Sequence, residues 1–365
     1  MCDNILRRTE KLAERLRERR ADAFVAIADE GANWESLFYL SGFRGTSGAL
    51  VVYSDGEGEL YLDGRYSAQG KEQSPHRICG IKEGAVKDAA EELKRRGVEK
   101  ILCEEEKTFH RTWEELLSLS GAQAEDGGEI IRELRRKKDD GEIRAIKKAA
   151  AIGAKAFIDT LAQSGAGMRE KEFEALLNYN ICAAGGAPGF DMIVASGVRS
   201  VMPHGRAGDK PMERGEWVTV DFGARWNGYF CDITRNFSIG EPGPEARALH
   251  SLIAKAHGEA AAMLRAGVSG MAAHEKAAGI FRAAGKEEYF THSLGHSFGL
   301  EIHEAPCLSP RRNDSLRDGD VVTVEPGLYI PGFGGMRLED DYLITRDGAE
   351  RLTADLPQEF FRFDF

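Results

Sequence analysis

Apolar positions recur with two different periods along the first 130 residues. Through the opening stretch LRRTEKLAERLRERR and the Ile5 just before it, Ile5, Leu12 and Leu16 share one side of a helix and the charges take the other. Shorter apolar runs follow, ADAFVAIA, ESLFYL, GALVVYS and ELYLD, and each predicts a strand. AVKDAAEELKRRGV returns to the helical period and EKILCEE to that of a strand. Such alternation predicts an α/β unit. The segment GFRGTSG (42–48) has neither the GxxxxGK[ST] order nor the GxGxxG spacing of a phosphate loop, so it reads as a turn between strands.

A break is expected near Asp126-Gly127-Gly128, giving an N-terminal α/β domain over 1–130 and a second domain over 131–365. The charged helix IIRELRRKK follows the break. Asp139 or Asp140 can cap the next helix, in which Ile143, Ile146, Ala150, Ala154 and Phe157 trace a buried stripe that stops at Gly165-Ala166-Gly167. Beyond it the pattern predicts a helix over 170–184, a strand in FDMIVAS and a hairpin over 217–239. Helices over 243–265 and 269–285 come next, then strands near 300, at 321–325 and at 337–344. This second half has an α+β order and no clear short-period repeat.

Composition narrows the function. A chain of 365 residues suits two domains at about 150 residues each. With 42% hydrophobic and 30% charged residues it can bury a core, which rules out wholesale disorder. The net charge of −11 repels nucleic-acid phosphates, so no nucleic-acid partner is expected. No apolar stretch is long enough to cross a bilayer, so no membrane partner is expected either. Glu10, Glu14 and Glu18 interrupt the basic N-terminus, which fits neither a secretory signal nor a transit peptide. Six scattered cysteines without a CxxC pair argue against a disulfide framework or a cysteine-type zinc site, and suit a cytoplasmic protein.

The candidate chemistry lies in four segments. In WVTVDFGARWNGYFCDITRNFSIG, two apolar runs flank Asn227-Gly228, the strongest short hairpin signal. With those two residues as the turn, paired positions sum to 455, Asp221 faces Thr234, and Asp232 emerges on the same face as a diagonal neighbour of Asp221. That diagonal spans roughly 7–8 Å between backbones. Two carboxylates converging there repel unless a positive charge sits between them. HSLGHSFGLEIHEAP places His292, His296 and His303 within twelve residues. Glu325 ends the apolar strand of DVVTVEPGLYI, just before Pro326. In GMRLEDDYLIT, strand parity puts Arg337, Glu339 and Asp341 on one face and Leu338 on the other. Asp221, Asp232, Glu325 and Glu339 with one imidazole suit a pair of hard or borderline divalent ions such as Mn²⁺ or Co²⁺. Two such ions would offset four negative charges and lower the pKa of a bridging water toward neutrality.

The order Asp, eleven residues on Asp, then His, Glu and Glu resembles the dinuclear metallopeptidases of the pita-bread fold. VTVDFG, CDITRNF, GLEIHEAP, VTVEPGLYI and MRLEDD are similar to the motifs of their Xaa-Pro peptidase branch, aminopeptidase P and prolidase. MPHG resembles that branch's upstream histidine motif, and YLSGFRGTSGAL and YLDGRYSAQ resemble its N-terminal domain. The resemblance implies a creatinase/prolidase-like α/β domain followed by an α+β pita-bread catalytic domain. It implies two metals on Asp221, Asp232, His296, Glu325 and Glu339, with Asp232 and Glu339 bridging. Manganese is the first choice, with cobalt or zinc as alternatives. Glu325 would take the proton from the bridging water, so that hydroxide attacks the bond between an N-terminal residue and proline. His204 and His303 would hydrogen-bond the substrate and the tetrahedral intermediate, His292 would line the proline pocket, and Arg337 would orient the site. Proline-containing peptides, dipeptides or longer, are the implied substrates. A homodimer, with each front domain walling its neighbour's pocket, is the implied assembly. The segment GHSFG departs from the family, which more often places a small glycine after the metal-binding histidine.

Two other readings compete. A non-catalytic peptide-binding protein on the same fold should show replaced ligands, and all five positions here carry acceptable ones. GHSFG also matches the G-x-S-x-G serine elbow. That reading needs an acid and then a histidine downstream of Ser297, and the last histidine in the chain is His303, only six residues on.

Overall fold

The computed structural model describes residues 2–363. The chain forms two compact units, Met1–Arg135 and Arg136–Phe365.

The first unit is built on a six-stranded sheet in the order Arg77–Gly80, Gly58–Leu62, Gly48–Tyr53, Ala23–Ala28, Lys100–Cys103, Gln123–Asp126. The pairs made by Gly48–Tyr53 are antiparallel and the others parallel. Val25, Val51 and Ile101 fill a core on one side of it. The helix Cys2–Glu18 buries Ile5, Leu12 and Leu16 as its period requires.

ESLFYL is not a strand: it lies in the helix Trp34–Ser41, six of whose eight residues are buried. A short run that is buried on nearly every side has no period left to separate helix from strand. Gly42 ends this helix at φ 75°, and its N–H donates to the Phe38 carbonyl at 2.7 Å. GFRGTSG therefore joins a helix to a strand rather than two strands.

The second unit has two halves of similar make-up. In the first, the helices Asp140–Leu161 and Glu170–Ala183 cover a sheet ordered Phe361–Phe363, Ile233–Ile239, Trp217–Phe222, Ile193–Ser196. Asp139 caps the longer helix in a capping box with Glu142. In the second, the helices Pro244–Ala261 and Gly270–Ala283 cover a sheet ordered Glu304–Leu308, Gly295–Ser297, Val321–Val324, Asp340–Ile344, Ala349–Arg351. Val218, Val220 and Phe222 enter the first core, while Asp221 between them turns the other way.

The hairpin keeps its expected register. Trp226 pairs with Tyr229, Asp221 with Thr234 and Trp217 with Ser238. Asn227 and Gly228 both have positive φ, 53° and 86°, as a type I′ turn requires. The segment 337–344 is not one strand. Gly334–Arg337 pairs with Gly327–Ile330, whereas Asp340–Ile344 pairs with Val321–Val324. The chain changes sheets at Leu338-Glu339, so Arg337 and Glu339 reach the cleft described below while Asp341 stays behind it.

Two histidines of the helix Pro244–Ala261 make this unit acid-sensitive. Burial holds both His250 and His257 down to about 4. Between pH 6.5 and 4 the unfolded chain takes up protons at these two positions that the folded state refuses, so their contribution to stability falls with pH through that window. His250 stacks on Phe360, and its Nε2 is buried without a hydrogen-bond partner. Relative to His250→Phe, the wild type should therefore lose about 2–3 kcal/mol between pH 7 and 4.5 in denaturant titrations. Parallel curves for the two proteins would show that His250 is protonated in the fold.

Candidate metal centre

One cleft of about 1090 Å³ in the second unit is lined by all nine residues that the sequence singles out: His204, Asp221, Asp232, His292, His296, His303, Glu325, Arg337 and Glu339. They arrive from separate elements. Asp221 comes from Trp217–Phe222, and Asp232 from just before Ile233–Ile239. His296 sits in Gly295–Ser297, Glu325 follows Val321–Val324, and Arg337 ends Gly334–Arg337 with Glu339 two residues on. A Cβ on Gly295 would meet the Thr323 carbonyl oxygen at 2.1 Å, so only glycine lets the histidine strand come this close to the one before Glu325.

Ligand atoms of Asp232, His296 and Glu339 lie within 4.8 Å of one another. His296 Nε2 is 3.7 Å from Asp232 Oδ2 and 3.4 Å from Glu325 Oε1. Arg337 is a buried cation of the cleft wall, beside the carboxylates. Its Nη2 donates to Asp221 Oδ2 at 2.5 Å, its Nη1 to the Tyr329 hydroxyl at 2.6 Å, and its Nε to Thr234 Oγ1 at 3.0 Å. Thr234 in turn donates to Glu339 Oε2 at 2.6 Å. Thr323 Oγ1 accepts from the His296 N–H at 3.1 Å and donates to Glu325 Oε1 at 3.3 Å.

These carboxylates carry more negative charge than the cleft can hold unaided. Burial, then the charges of Glu339 and Asp221, push Asp232 well above the usual carboxylate range. Burial and Glu325 do the same to Glu339. Burial raises Glu325 to about 8, against the opposing pull of Arg337. His296 is driven the other way, to about 3, by burial and then by His303, so its ring is neutral and offers a lone pair. Asp221 Oδ1 is buried with no hydrogen-bond partner. An orphaned carboxylate oxygen, three further crowded carboxylates and a neutral imidazole are the donor set that hard or borderline divalent cations take. The residues fit a metal.

His303 packs its ring 4.4 Å from that of His296. His292 is walled by Phe290 at 5.4 Å and Tyr329 at 5.5 Å, and its Nε2 is 3.2 Å from the Tyr329 hydroxyl. His204 stands exposed at the rim. Ser297 does not sit on an elbow: its strand is followed by irregular chain, and its side chain is fully buried.

Sequence reasoning gave no role to Thr234, Thr323 or Tyr329. Parity could have found the first, since Thr234 is two residues from Asp232 on the same strand face, and the second, two residues before Glu325.

Residues 144–346 match the model of metallopeptidase family M24, and residues 8–137 match the creatinase/prolidase N-terminal domain. The Xaa-Pro dipeptidase of Pyrococcus furiosus is 34% identical over 320 residues, which cover 87% of this chain and 90% of that one. The crystal structure of an X-Pro aminopeptidase from Thermotoga maritima superposes with a TM-score of 0.92 at 37% identity, covering 96% of this chain and all of the other. An Xaa-Pro dipeptidase from Bacillus anthracis gives 0.93 at 33% identity over 99% of this chain and all of the other. With a creatinase-type domain ahead of a pita-bread domain and a carboxylate-rich cleft in the latter, the chain belongs to metallopeptidase family M24, whose members work with divalent metal ions.

Proposed function

We propose that this protein is an Xaa-Pro exopeptidase that hydrolyses the bond between an N-terminal residue and proline, as an Xaa-Pro aminopeptidase or dipeptidase. The observation that carries this reading is the convergence of the carboxylates Asp221, Asp232, Glu325 and Glu339 with Arg337, His296 and three further sequence-predicted histidines on one cleft. Asp221, Asp232, His296, Glu325 and Glu339 are the residues that would hold the divalent ions. Bound divalent ions would supply Lewis acidity and make water acidic enough to ionise near neutral pH.

The chain's own groups do the rest. Glu325 accepts the proton of the attacking water and is held in place by Thr323 and by its own N–H, which donates to the Leu294 carbonyl at 2.8 Å. Arg337 fixes Asp221 directly and Glu339 through Thr234. His204 and His303 donate to the substrate carbonyl as its oxygen gains charge. Proline resists ordinary peptidases because its nitrogen carries no N–H and its ring fixes the backbone. His292 and Phe290 both line the cleft and would give such a ring a flat surface to pack on. Manganese as the metal suits the oxygen-rich donor set. Cytosolic residence suits the free thiols of Cys79, Cys103, Cys182, Cys231 and Cys307, and no helix among the described residues is long and apolar enough to cross a membrane. The homodimer rests on the resemblance alone.

Protein reconstituted with Mn²⁺ should cleave Xaa-Pro or Xaa-Pro-Yaa and leave Xaa-Ala intact, and the ratio of the first two separates dipeptidase from aminopeptidase. Equal cleavage of Xaa-Ala would remove the proline specificity. His303→Ala should lower kcat/KM by roughly tenfold to a thousandfold at unchanged metal content. Loss of a metal equivalent in that variant would make His303 a ligand instead.

A further inference from the structure

The segment that carries His204 is tied at both ends to one distant carboxylate. Glu170 opens the helix Glu170–Ala183 and is fully buried. Its Oε1 accepts from the Ser196 N–H and the Ser196 hydroxyl, both at 2.8 Å. Its Oε2 accepts from the Gly208 N–H at 2.9 Å and from Arg199 Nη1. Ser196 and Gly208 bracket the stretch 196–208, and Arg199 within it donates to the Arg206 carbonyl at 3.0 Å. The middle of the stretch is fixed to the cleft wall. Ser200 Oγ accepts from Gly335 N–H at 2.9 Å and from Trp217 Nε1 at 3.1 Å. The Pro203 carbonyl accepts from Arg337 Nη1 at 3.4 Å. The His204 imidazole itself makes no hydrogen bond among the described residues, so its position is inherited from the backbone that holds it.

We propose that Glu170 is a positioning residue for the peptidase reaction, a clasp that closes the 196–208 loop and so sets where His204 meets the substrate. This rests on the reading of His204 given above. The chemistry of the clasp demands a carboxylate. Four donors converge on it, one of them charged, and an ionised carboxylate has about four acceptor positions and no donor. Glutamine has the same shape but turns an N–H₂ toward two of those donors. The loop ends then repel the side chain that should join them, and closing a flexible loop without its clasp costs entropy. Glu170 touches neither the cleft nor any proposed ligand, so its effect on catalysis must travel through the loop.

A double-mutant cycle on the Mn²⁺-reconstituted protein tests this, with kcat/KM on an Xaa-Pro substrate and metal content as readouts. Glu170→Gln should lower kcat/KM at least tenfold with metal content unchanged. In a His204→Ala background the same change should cost less than about twofold, because the group it positions is gone. Fully additive losses would overturn the clasp, since a purely structural role takes the same toll whether or not His204 is present. A loss of metal in Glu170→Gln would also overturn it. If His204→Ala alone leaves kcat/KM unchanged, the reading of His204 has failed instead. Gly208→Ala provides an independent perturbation should Glu170→Gln not fold. Its Cβ would meet Arg199 Nη1 at 3.0 Å and Glu170 Oε2 at 3.2 Å, straining the clasp without altering its charge, and it should show the same non-additivity with His204→Ala.

Discussion

Glu325→Gln should lower kcat by about a hundredfold to ten-thousandfold while keeping most of the bound metal. The side chain is placed for proton transfer by two fixed points: its backbone N–H on Leu294 and its Oε1 on the Thr323 hydroxyl. Burial raises its pKa to about 8 without a cation, and a bound cation opposes that shift, so the carboxylate can both ligate and exchange a proton near neutral pH. Glutamine keeps the shape and one acceptor oxygen, so it can still ligate, but it cannot accept a proton. Metal content by mass spectrometry and turnover at saturating substrate separate the two roles. Glu325→Ala should lose metal as well as activity, because it removes the ligand along with the base. Normal turnover in Glu325→Gln would show that another group takes the proton.

How far the sequence discloses this site depends on how each residue is held. The hairpin was readable because an Asn-Gly turn fixes the register and a period of two fixes the face. Asp221 opposite Thr234, with Asp232 beside it, follows from counting alone. The proposed histidine and glutamate ligands were suggested by a family resemblance carried by short motifs, not by any period. Other features lacked a local signal. The helix Trp34–Ser41 is buried on almost every side and looks like a strand. The strands Arg77–Gly80 and Gln123–Asp126 lie at the two edges of their sheet with mostly exposed or half-buried residues, so they show no apolar alternation. The passage from one sheet to another at Leu338-Glu339 is a tertiary event: the Glu339 N–H donates to the Thr234 carbonyl, more than a hundred residues away. Glu170 reads as an ordinary acidic residue in a first helical turn, where the dipole favours it, and only the folded loop shows what its carboxylate holds.

Chelation should abolish activity, and added Mn²⁺ or Co²⁺ should restore it, because ligand binding and catalysis depend on the same ions. The pair His296 and Ser297 sharpens this expectation, since adjacent residues of one strand face opposite ways. His296 faces the carboxylates, and its neutral ring needs no proton loss to bind a cation at pH 7. His296→Ala should therefore lose metal and activity together. Ser297 is fully buried, its Oγ has no hydrogen-bond partner, and across the strand it faces Val322. Replacing it with alanine removes a buried hydroxyl that bonds to nothing, so stability should hold or rise slightly and most activity should remain. A serine nucleophile would demand the reverse: a dead Ser297→Ala enzyme, labelling of the wild type by a fluorophosphonate, and indifference to chelators. The two mechanisms thus predict opposite results for neighbouring residues. A dead Ser297→Ala enzyme with its metal content intact, or a wild type that stays active in chelator with no tightly held metal, would overturn the metallopeptidase mechanism in this chain.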